Sequence, residues 1–375
     1  MLTGGGTDDQ CVKLVQGLRQ LGHEAWIAGP EGREFSNHAR GMGIPFADTG
    51  KEGPGKVALI WRVAKLIRSQ GFSVFHAHHG RDYWPAVLAA RLAGRGVRLV
   101  LTRHLAKSPS SWPSRHFLLG QCDAMLAVSE FVAKVMREGV FEPNSPERER
   151  HRRPAMHGDH GKIRVVYGGI DTSRFTPADA GDQRRQWGVA AGDYAFGVVG
   201  GYDLPRGKGQ REFLAAASRI HQRVPHARFL IVGRGSMAEI LQQDIARLGL
   251  EGKAWLTPYS TDMPKAMNAL DCLVHPQVGT ESFGLVLIEA YACGRPVIAS
   301  ALDGIPEAFA VGNYGQLVTS ESVGELSEAM MRWAAQPPLD QTGRAALSSR
   351  VAERFSMLSA ARRVEQVYGE LLGRR

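Results

Sequence analysis

The chain has 375 residues, of which 43% are hydrophobic and 22% charged, the balance of a soluble globular protein long enough to bury two cores. No apolar run reaches the ~20 residues that span a bilayer, the opening MLTGGGTDD lacks the apolar core of a signal peptide, and this composition argues against extensive disorder. The net charge of +9 favours a polyanionic partner: nucleic acid, an anionic membrane surface or a phosphorylated small molecule.

In chain order, the first feature is GGGTDDQCVKLVQGLRQLGH. Its glycine turn, Gly4, Gly5 and Gly6, runs into a predicted helix with Val12, Leu14, Val15 and Leu18 on its apolar face. Backbone N–H groups at such a helix start suit a phosphate, with a plain turn as the alternative. A turn of this kind follows a parallel strand, yet Met1 and Leu2 supply almost nothing to build one. Either the chain starts late, which is the preferred reading, or the first domain lacks its usual central strand.

Next come EAWIAGP, VALIWRVAKLI, FSVFHAHHG, YWPAVLAARLA, VRLVLTRH and AMLAVSEFVAKVM. Short runs rich in Val, Phe and Ile alternate with helix-period segments, the pattern of beta-alpha-beta units and a parallel sheet. The helix KVALIWRVAKLIRSQ carries Lys56, Arg62, Lys65 and Arg68. It suits either an anionic membrane surface presenting a lipid-linked acceptor or plain solvent. His76, His78, His79 and His104 lie just past apolar strands, where the ligand crevice of a parallel sheet opens, and His78 and His104 are best placed to touch a substrate. Structural, hydrogen-bonded histidines are the competing reading. Cys11, Cys122, Cys272 and Cys293 form no CxxC pair and read as reduced, mostly buried thiols of a cytoplasmic protein. The charged, Pro- and His-containing stretch from Glu142 to Lys162 matches no zinc spacing and reads as a solvated connection.

The second half repeats the alternation with YAFGVVGG, QREFLAAASRIHQRV, ARFLIVGRG, MAEILQQDIARLG, KAWLTP, CLVHPQ and RPVIAS, so the fold class is α/β with two Rossmann-like, doubly wound parallel-sheet domains. The first strand here ends in Gly200 and Gly201 and leads to a loop bearing Arg206 and Lys208 before a helix. Cations at a helix start oppose its dipole by about 0.3 to 1 kcal/mol each, so a bound diphosphate is a more economical reading than a solvated loop. The spacing is not that of a P-loop, and IVGRG lacks the third glycine of a dinucleotide fingerprint.

GTESFGLVLIEAYACGRPVIAS places Glu281 and Glu289 eight positions apart. Ser282 is the candidate N-cap, and Glu289, seven residues further on, is beyond the reach of the free N–H groups. Surrounded by Leu285, Val286, Leu287, Ile288, Ala290 and Ala292, it is expected to be buried and to need strong donors such as ligand hydroxyls. On a regular helix the two backbones would stand on the order of 12 Å apart, too far for a glycosidase dyad without side-chain convergence. Two contacts along one extended ligand fit better. The closing FSMLSAARRVEQVYGELL is helical, with Leu358, Val364, Val367, Tyr368 and Leu371 near one face.

Together these segments resemble the GT-B fold and, within it, the retaining family 4 glycosyltransferases. GTESFGLVLIEAYACGRPVIAS resembles the family's E-x7-E segment, DGIPEAFAVGNYGQLV the stretch after it, and VVYGGIDTSRFTP its interdomain segment, with Gly168 and Gly169 where an Asn-Gly pair is usual. The PRGKG loop resembles the family's donor-phosphate loop, and the closing helix one that crosses back to the first domain.

The resemblance implies two domains facing across a cleft: residues 1–170, joined by the helix 355–375, on the acceptor side, and residues 171–354 on the donor side. It implies a nucleotide-sugar donor, usually UDP- or GDP-linked, with no metal and no cofactor. Glu289 would accept from the ribose and Glu281 would contact the sugar, beside Ser282 and the main chain of Phe283, Gly284 and Leu285. Arg206 and Lys208 would stabilise the leaving diphosphate, Gly4 to Gly6, Gly200 and Gly201 would lie against the donor, and His104, with His78 on the acceptor side, would lie by the sugar. The acceptor is expected to be a glycan or lipid-linked hydroxyl of lipopolysaccharide, cell-envelope polysaccharide or glycolipid synthesis. The enzyme is expected in the cytoplasm, with peripheral membrane contact left open. Two rivals stand beside it: a nucleotide-sugar 2-epimerase of the same fold, and a non-catalytic nucleotide-sugar-binding protein. A specific nucleic-acid partner is not expected, because the 46 Lys and Arg residues are spread along the chain without a recognition motif.

Overall fold

The computed structural model describes residues 6–32, 34–50, 56–94, 96–139, 154–258 and 260–373. The chain forms two compact units, Met1–Gly169 with Phe355–Arg375, and Ile170–Arg354.

The first unit contains α1 (Gly6–Gln20), β1 (Ile27–Gly29), α2 (Glu34–Gly41), β2 (Phe46–Asp48), α3 (Lys56–Gln70), β3 (Val74–Ala77), α4 (Tyr83–Ala93), β4 (Arg98–Arg103), α5 (Trp112–Gln121), β5 (Ala124–Ala127), α6 (Glu130–Arg137) and β6 (Ile163–Val165). Its strands are all parallel but fall into two sheets, β1-β2 and β3-β4-β5-β6. In the usual doubly wound order a strand preceding α1 would lie centrally, beside β1 and β3; among the described residues there is none. Gly4 and Gly5 lie outside the described residues, as does most of the charged connection, and Gly6 is the first residue of α1.

Sequence reading missed β2 and β6, three-residue strands too short for a period to register. β4 and β5 read as nearly unbroken apolar runs because both faces of this parallel sheet are covered. Leu99 and Leu101 of β4 face a core that includes α4, α5 and α6. Val100, one residue out of phase, faces a separate cluster with Val364, Val367, Tyr368 and Leu371 of the last helix.

The second unit contains α7 (Gly181–Gln186), β7 (Tyr194–Val199), α8 (Gln210–Ile220), β8 (Ala227–Val232), α9 (Ala238–Arg247), β9 (Ala254–Leu256), α10 (Met263–Ala269), β10 (Cys272–His275), α11 (Leu285–Ala292), β11 (Val297–Ser300), α12 (Ile305–Gly312), β12 (Gly315–Val318), α13 (Val323–Ala334) and α14 (Gln341–Phe355). Its single parallel sheet has the order β12-β11-β10-β7-β8-β9. The winding therefore reverses between β7 and β10, and the loops leaving the C-terminal ends of those two strands border a topological switch point. The strongly buried Phe196, Phe213 and Phe229 anchor the core beneath it.

The last helix, α15 (Met357–Gly373), does not continue from Phe355 as predicted: α14 ends there, and Ser356 breaks the chain. The Ser356 hydroxyl accepts the Ser359 N–H at 3.1 Å, an N-cap that starts a new helix. Among the described residues no helix is long and apolar enough to cross a membrane. All four cysteines are free, three of them buried.

Candidate active site

In the second unit the loop after β7 carries the predicted Gly200, Gly201, Arg206 and Lys208 to the switch point. It is held by Gln210, a fully buried residue at the first position of α8. The Gln210 side chain accepts the Lys208 N–H at 2.7 Å and donates to the Gly201 carbonyl at 3.3 Å. Gly209, the α8 N-cap, has φ +84, and a Cβ there would stand 1.9 Å from the Pro276 carbonyl oxygen. Only glycine lets this loop lie against the one that leaves β10.

The β10 loop carries Glu281, and the two loops meet: Lys208 Nζ stands 2.8 Å from Glu281 Oε2. Glu281 is fixed through its backbone, its N–H donating to Asp303 Oδ2 at 3.3 Å and its carbonyl accepting the Gly304 N–H at 3.2 Å. Its side chain also accepts the Ser282 N–H at 3.0 Å. Burial alone would raise this carboxyl, but the neighbouring His275 imidazole and Lys208 ammonium outweigh it and hold Glu281 well below the usual carboxylate range. The carboxylate is thus a fixed negative charge. Arg206 pairs with Glu321 at 3.0 Å and lies 3.9 Å from Glu212.

The structure corrects the reading of the E-x7-E segment. Ser282 is not the N-cap; α11 starts at Leu285, and its cap is Gly284 in a left-handed conformation, φ 95, with no capping side chain. Glu281 therefore lies outside the helix, and the regular-helix separation inferred for the two glutamates does not apply. Nor is α11 buried all round: Leu287, Ile288, Ala290, Tyr291 and Ala292 are buried, while Glu289 is half-buried with Leu285 and Val286. Phe283, just before the cap, is buried at 4% exposure. The first N–H groups of a helix have no intrahelical partner, and at α11 no acidic side chain occupies the first turn to meet them.

Residues that sequence reasoning missed hold this arrangement. His275 ends β10 and is 1% exposed; neither ring nitrogen has a hydrogen-bond partner among the described residues, and Nε2 stands 3.8 Å from Glu281 Oε2. A polar residue closing the apolar run CLVH was its only signal. Gln210, Asp303 and Glu321 gave none, because each acts through a fold-specific contact.

In the first unit His78 and His104 come together at the C-terminal ends of β3 and β4, with His78 Nδ1 3.2 Å from His104 Nε2. His76 stacks on His78 with ring centroids 4.2 Å apart, and its nitrogens engage the Tyr368 hydroxyl and the Thr102 hydroxyl at 2.6 Å each. His79 pairs with the buried Asp8 at 2.8 Å. Burial, then the proximity of the His79 imidazole, lowers His78 to about 4. Burial, then His78, holds His104 well below its ordinary value, and burial does the same to His76, so His76, His78 and His104 are neutral at pH 7. Among the described residues no group of three or more His, Cys, Asp or Glu side chains is arranged to hold a metal ion.

Solved structures share this architecture, a glycosyltransferase among them. One from Rickettsia africae superposes with a TM-score of 0.80 at 19% identity, over 100% of this chain and 97% of the other. The Anabaena protein HepE in complex with UDP and glucose superposes with a TM-score of 0.76 at 21% identity, over 97% and 96%. The fold is that of the GT-B class, with parallel sheets in two Rossmann-like domains.

Within that class the chain belongs to glycosyltransferase family 4: the family model Glycosyltransferase Family 4 matches residues 4–174, and the model Glycosyl transferases group 1 matches residues 193–336. A phosphatidyl-myo-inositol mannosyltransferase of Mycolicibacterium smegmatis is 27% identical over 98% of this chain and 91% of its own length. A D-inositol 3-phosphate glycosyltransferase of Actinosynnema mirum is 30% identical over 79% and 73%. The protein is therefore an enzyme, a glycosyltransferase.

Proposed function

We propose that this enzyme moves a sugar from a nucleotide-diphosphate donor to a hydroxyl acceptor with retention of anomeric configuration, without a metal or cofactor. The observation that carries the donor reading is the Lys208–Glu281 pair at the switch point, 2.8 Å apart and next to an α11 N-terminus that no side chain caps. A diphosphate replaces Glu281 as the partner of Lys208. It also draws Arg206 from Glu321, so that both cations face the charge that develops as the sugar–oxygen bond breaks.

Glu281, freed from the ammonium but fixed through its backbone, then accepts from a hydroxyl of the transferred sugar. Ser282 and the main chain of Phe283, Gly284 and Leu285 bind the sugar and distal phosphate, and Glu289 accepts from the ribose. Gly200 and Gly201 allow the donor close approach to the main chain. His104, neutral and held by His78, can give or take a hydrogen bond without carrying charge, and these two residues meet the acceptor side. The acceptor hydroxyl attacks the anomeric carbon from the face that the diphosphate leaves, and its proton passes to the departing phosphate oxygen as the sugar–phosphate bond breaks.

The acceptor is a glycan or a lipid-linked hydroxyl. The inositol glycolipid activity in the name of the mycobacterial relative supports a glycolipid acceptor over a lipopolysaccharide one. Peripheral contact of a cytoplasmic enzyme with an anionic membrane is supported by α3, which exposes Val57 at 67% and Trp61 at 56% next to the exposed Arg62, Lys65 and Arg68. A thermal-shift screen of nucleoside diphosphates and their sugars tests the donor reading: selective stabilisation by one nucleotide series supports it, and no response to any overturns it.

A further inference from the structure

One oxygen of Glu281 has two nitrogen neighbours and engages one of them. Lys208 Nζ stands 2.8 Å from Oε2, while His275 Nε2 stands 3.8 Å from the same atom, beyond hydrogen-bond reach. The other oxygen, Oε1, accepts the Ser282 N–H at 3.0 Å. The backbone of the residue is held at both ends, by Asp303 and by Gly304, so only the side chain of Glu281 is left to turn.

His275 closes β10 at the switch point, where an apolar residue would pack as well. Cys272, Leu273 and Val274 before it are fully buried, and His275 itself is 1% exposed. Among the described residues neither of its ring nitrogens has a hydrogen-bond partner. An imidazole always carries at least one N–H, and a buried donor left unmet is costly. Glu281 Oε2 is the charged acceptor within reach: a shift of about 1 Å makes the charge-assisted bond. Lys208 holds that oxygen where it stands.

We propose that His275 is a positioning residue that takes over Glu281 when the donor binds: the diphosphate draws Lys208 away, and Glu281 Oε2 swings to the His275 Nε2–H. The exchange rests on the donor reading above. It needs only an N–H on Nε2, and no proton is transferred. Lys208 can then turn to the phosphates without stranding a carboxylate that is 18% exposed. Held by His275 and by the Ser282 N–H, that carboxylate keeps a fixed direction, with lone pairs left for a hydroxyl of the sugar. His275 acts on the donor only through Glu281.

Isothermal titration of the full chain with UDP and with GDP tests the exchange in a double-mutant cycle. His275→Leu removes the N–H but suits the apolar end of β10. Binding of the nucleotide that the parent takes is expected to weaken at least about 10-fold, because displacing Lys208 then leaves Glu281 short of one hydrogen bond. His275→Gln, whose amide nitrogen extends about as far as Nε2, should recover most of that loss. His275→Asn, one methylene shorter, should not, and it serves in place of a leucine variant that folds poorly. In Lys208→Ala the ammonium is already gone, so adding His275→Leu should change affinity by about twofold at most. An equal loss in both backgrounds makes His275 a general support of the loop and overturns the proposal, as does undiminished binding by His275→Leu; either result leaves the donor reading intact. A parent that binds neither nucleotide overturns both.

Discussion

Truncating Lys208 to alanine removes the ammonium that stands 2.8 Å from Glu281 and, on the proposed mechanism, faces the leaving diphosphate. Two effects of different size follow. In the free enzyme, Glu281 loses its cation but keeps its N–H donor from Ser282 and the nearby His275. Breaking a buried pair costs about 3–5 kcal/mol, but Lys208 is 35% exposed, so solvent screening reduces this to about 1 kcal/mol or less. In the transition state, removing one preorganised charged donor to a developing anion costs about 2.7–4 kcal/mol, or 10²–10³ in rate.

Lys208→Ala is therefore expected to remain folded and to lose at least about 100-fold in kcat, with a much smaller change in donor KM. Nucleoside diphosphate release, measured at several donor concentrations with acceptor in excess, separates the two parameters; a parallel melt reports stability. A KM rise at unchanged kcat would mean that Lys208 binds donor and transition state equally, and would refute the catalytic assignment. Equal activity of variant and parent would remove Lys208 from the site altogether.

Glu289→Gln is expected to weaken nucleotide binding by about 5- to 30-fold through loss of a charged acceptor, worth about 1–2 kcal/mol; isothermal titration with the nucleotide alone checks this. Gly209→Ala forces a Cβ to 1.9 Å from the Pro276 carbonyl at φ +84, so the loop bearing Lys208 must shift. Donor turnover should fall at least 10-fold while circular dichroism stays that of a folded chain. Tyr368→Phe deletes the 2.6 Å hydrogen bond to the His76 Nδ1 and is expected to lower stability by about 1–2 kcal/mol in denaturant unfolding. The histidine cluster also sets a pH dependence. The unfolded chain takes up protons below pH 6.5, whereas His78 stays neutral until about 4 and His76 and His104 are held well below 6.5. The unfolded state then binds more protons, so stability falls as pH drops through this window, by about 1–2 kcal/mol at pH 5 for His78 alone. Burial pushes the neighbouring Tyr368 hydroxyl up, away from that range, and Glu281 adds its own loss only below about pH 4.5. Melts at pH 5 and 7, with His78→Gln flattening the difference, check the sign.

The sheets were readable because parallel strands buried on both faces leave dense apolar runs such as VRLVLTR and ARFLIV, and because glycines mark where those runs turn. The Lys208 and Glu281 loops were legible for the same reason: each follows a strand of that kind, and charge at such a place has few structural uses. Their meeting was not, since it depends on β10 pairing with β7 rather than with β9. The cap of α11 was misread because serine is the stronger capping type by composition, whereas the chain needs a left-handed turn two residues later, which Gly284 supplies. The break at Ser356 escaped notice because the apolar period runs on either side of it without a glycine or proline. His275, Asp303 and Gln210 act through tertiary contacts with no local pattern, so only the folded arrangement reveals them.

The most direct test follows the anomeric proton of the donor sugar by NMR, with and without a hydroxyl acceptor. Donor is expected to be consumed only when acceptor is present, and the new glycosidic signal to keep the donor's anomeric configuration. Donor consumed equally without acceptor would point to an epimerase, inverted product would contradict retention, and no consumption with any nucleotide-sugar would contradict the donor reading itself.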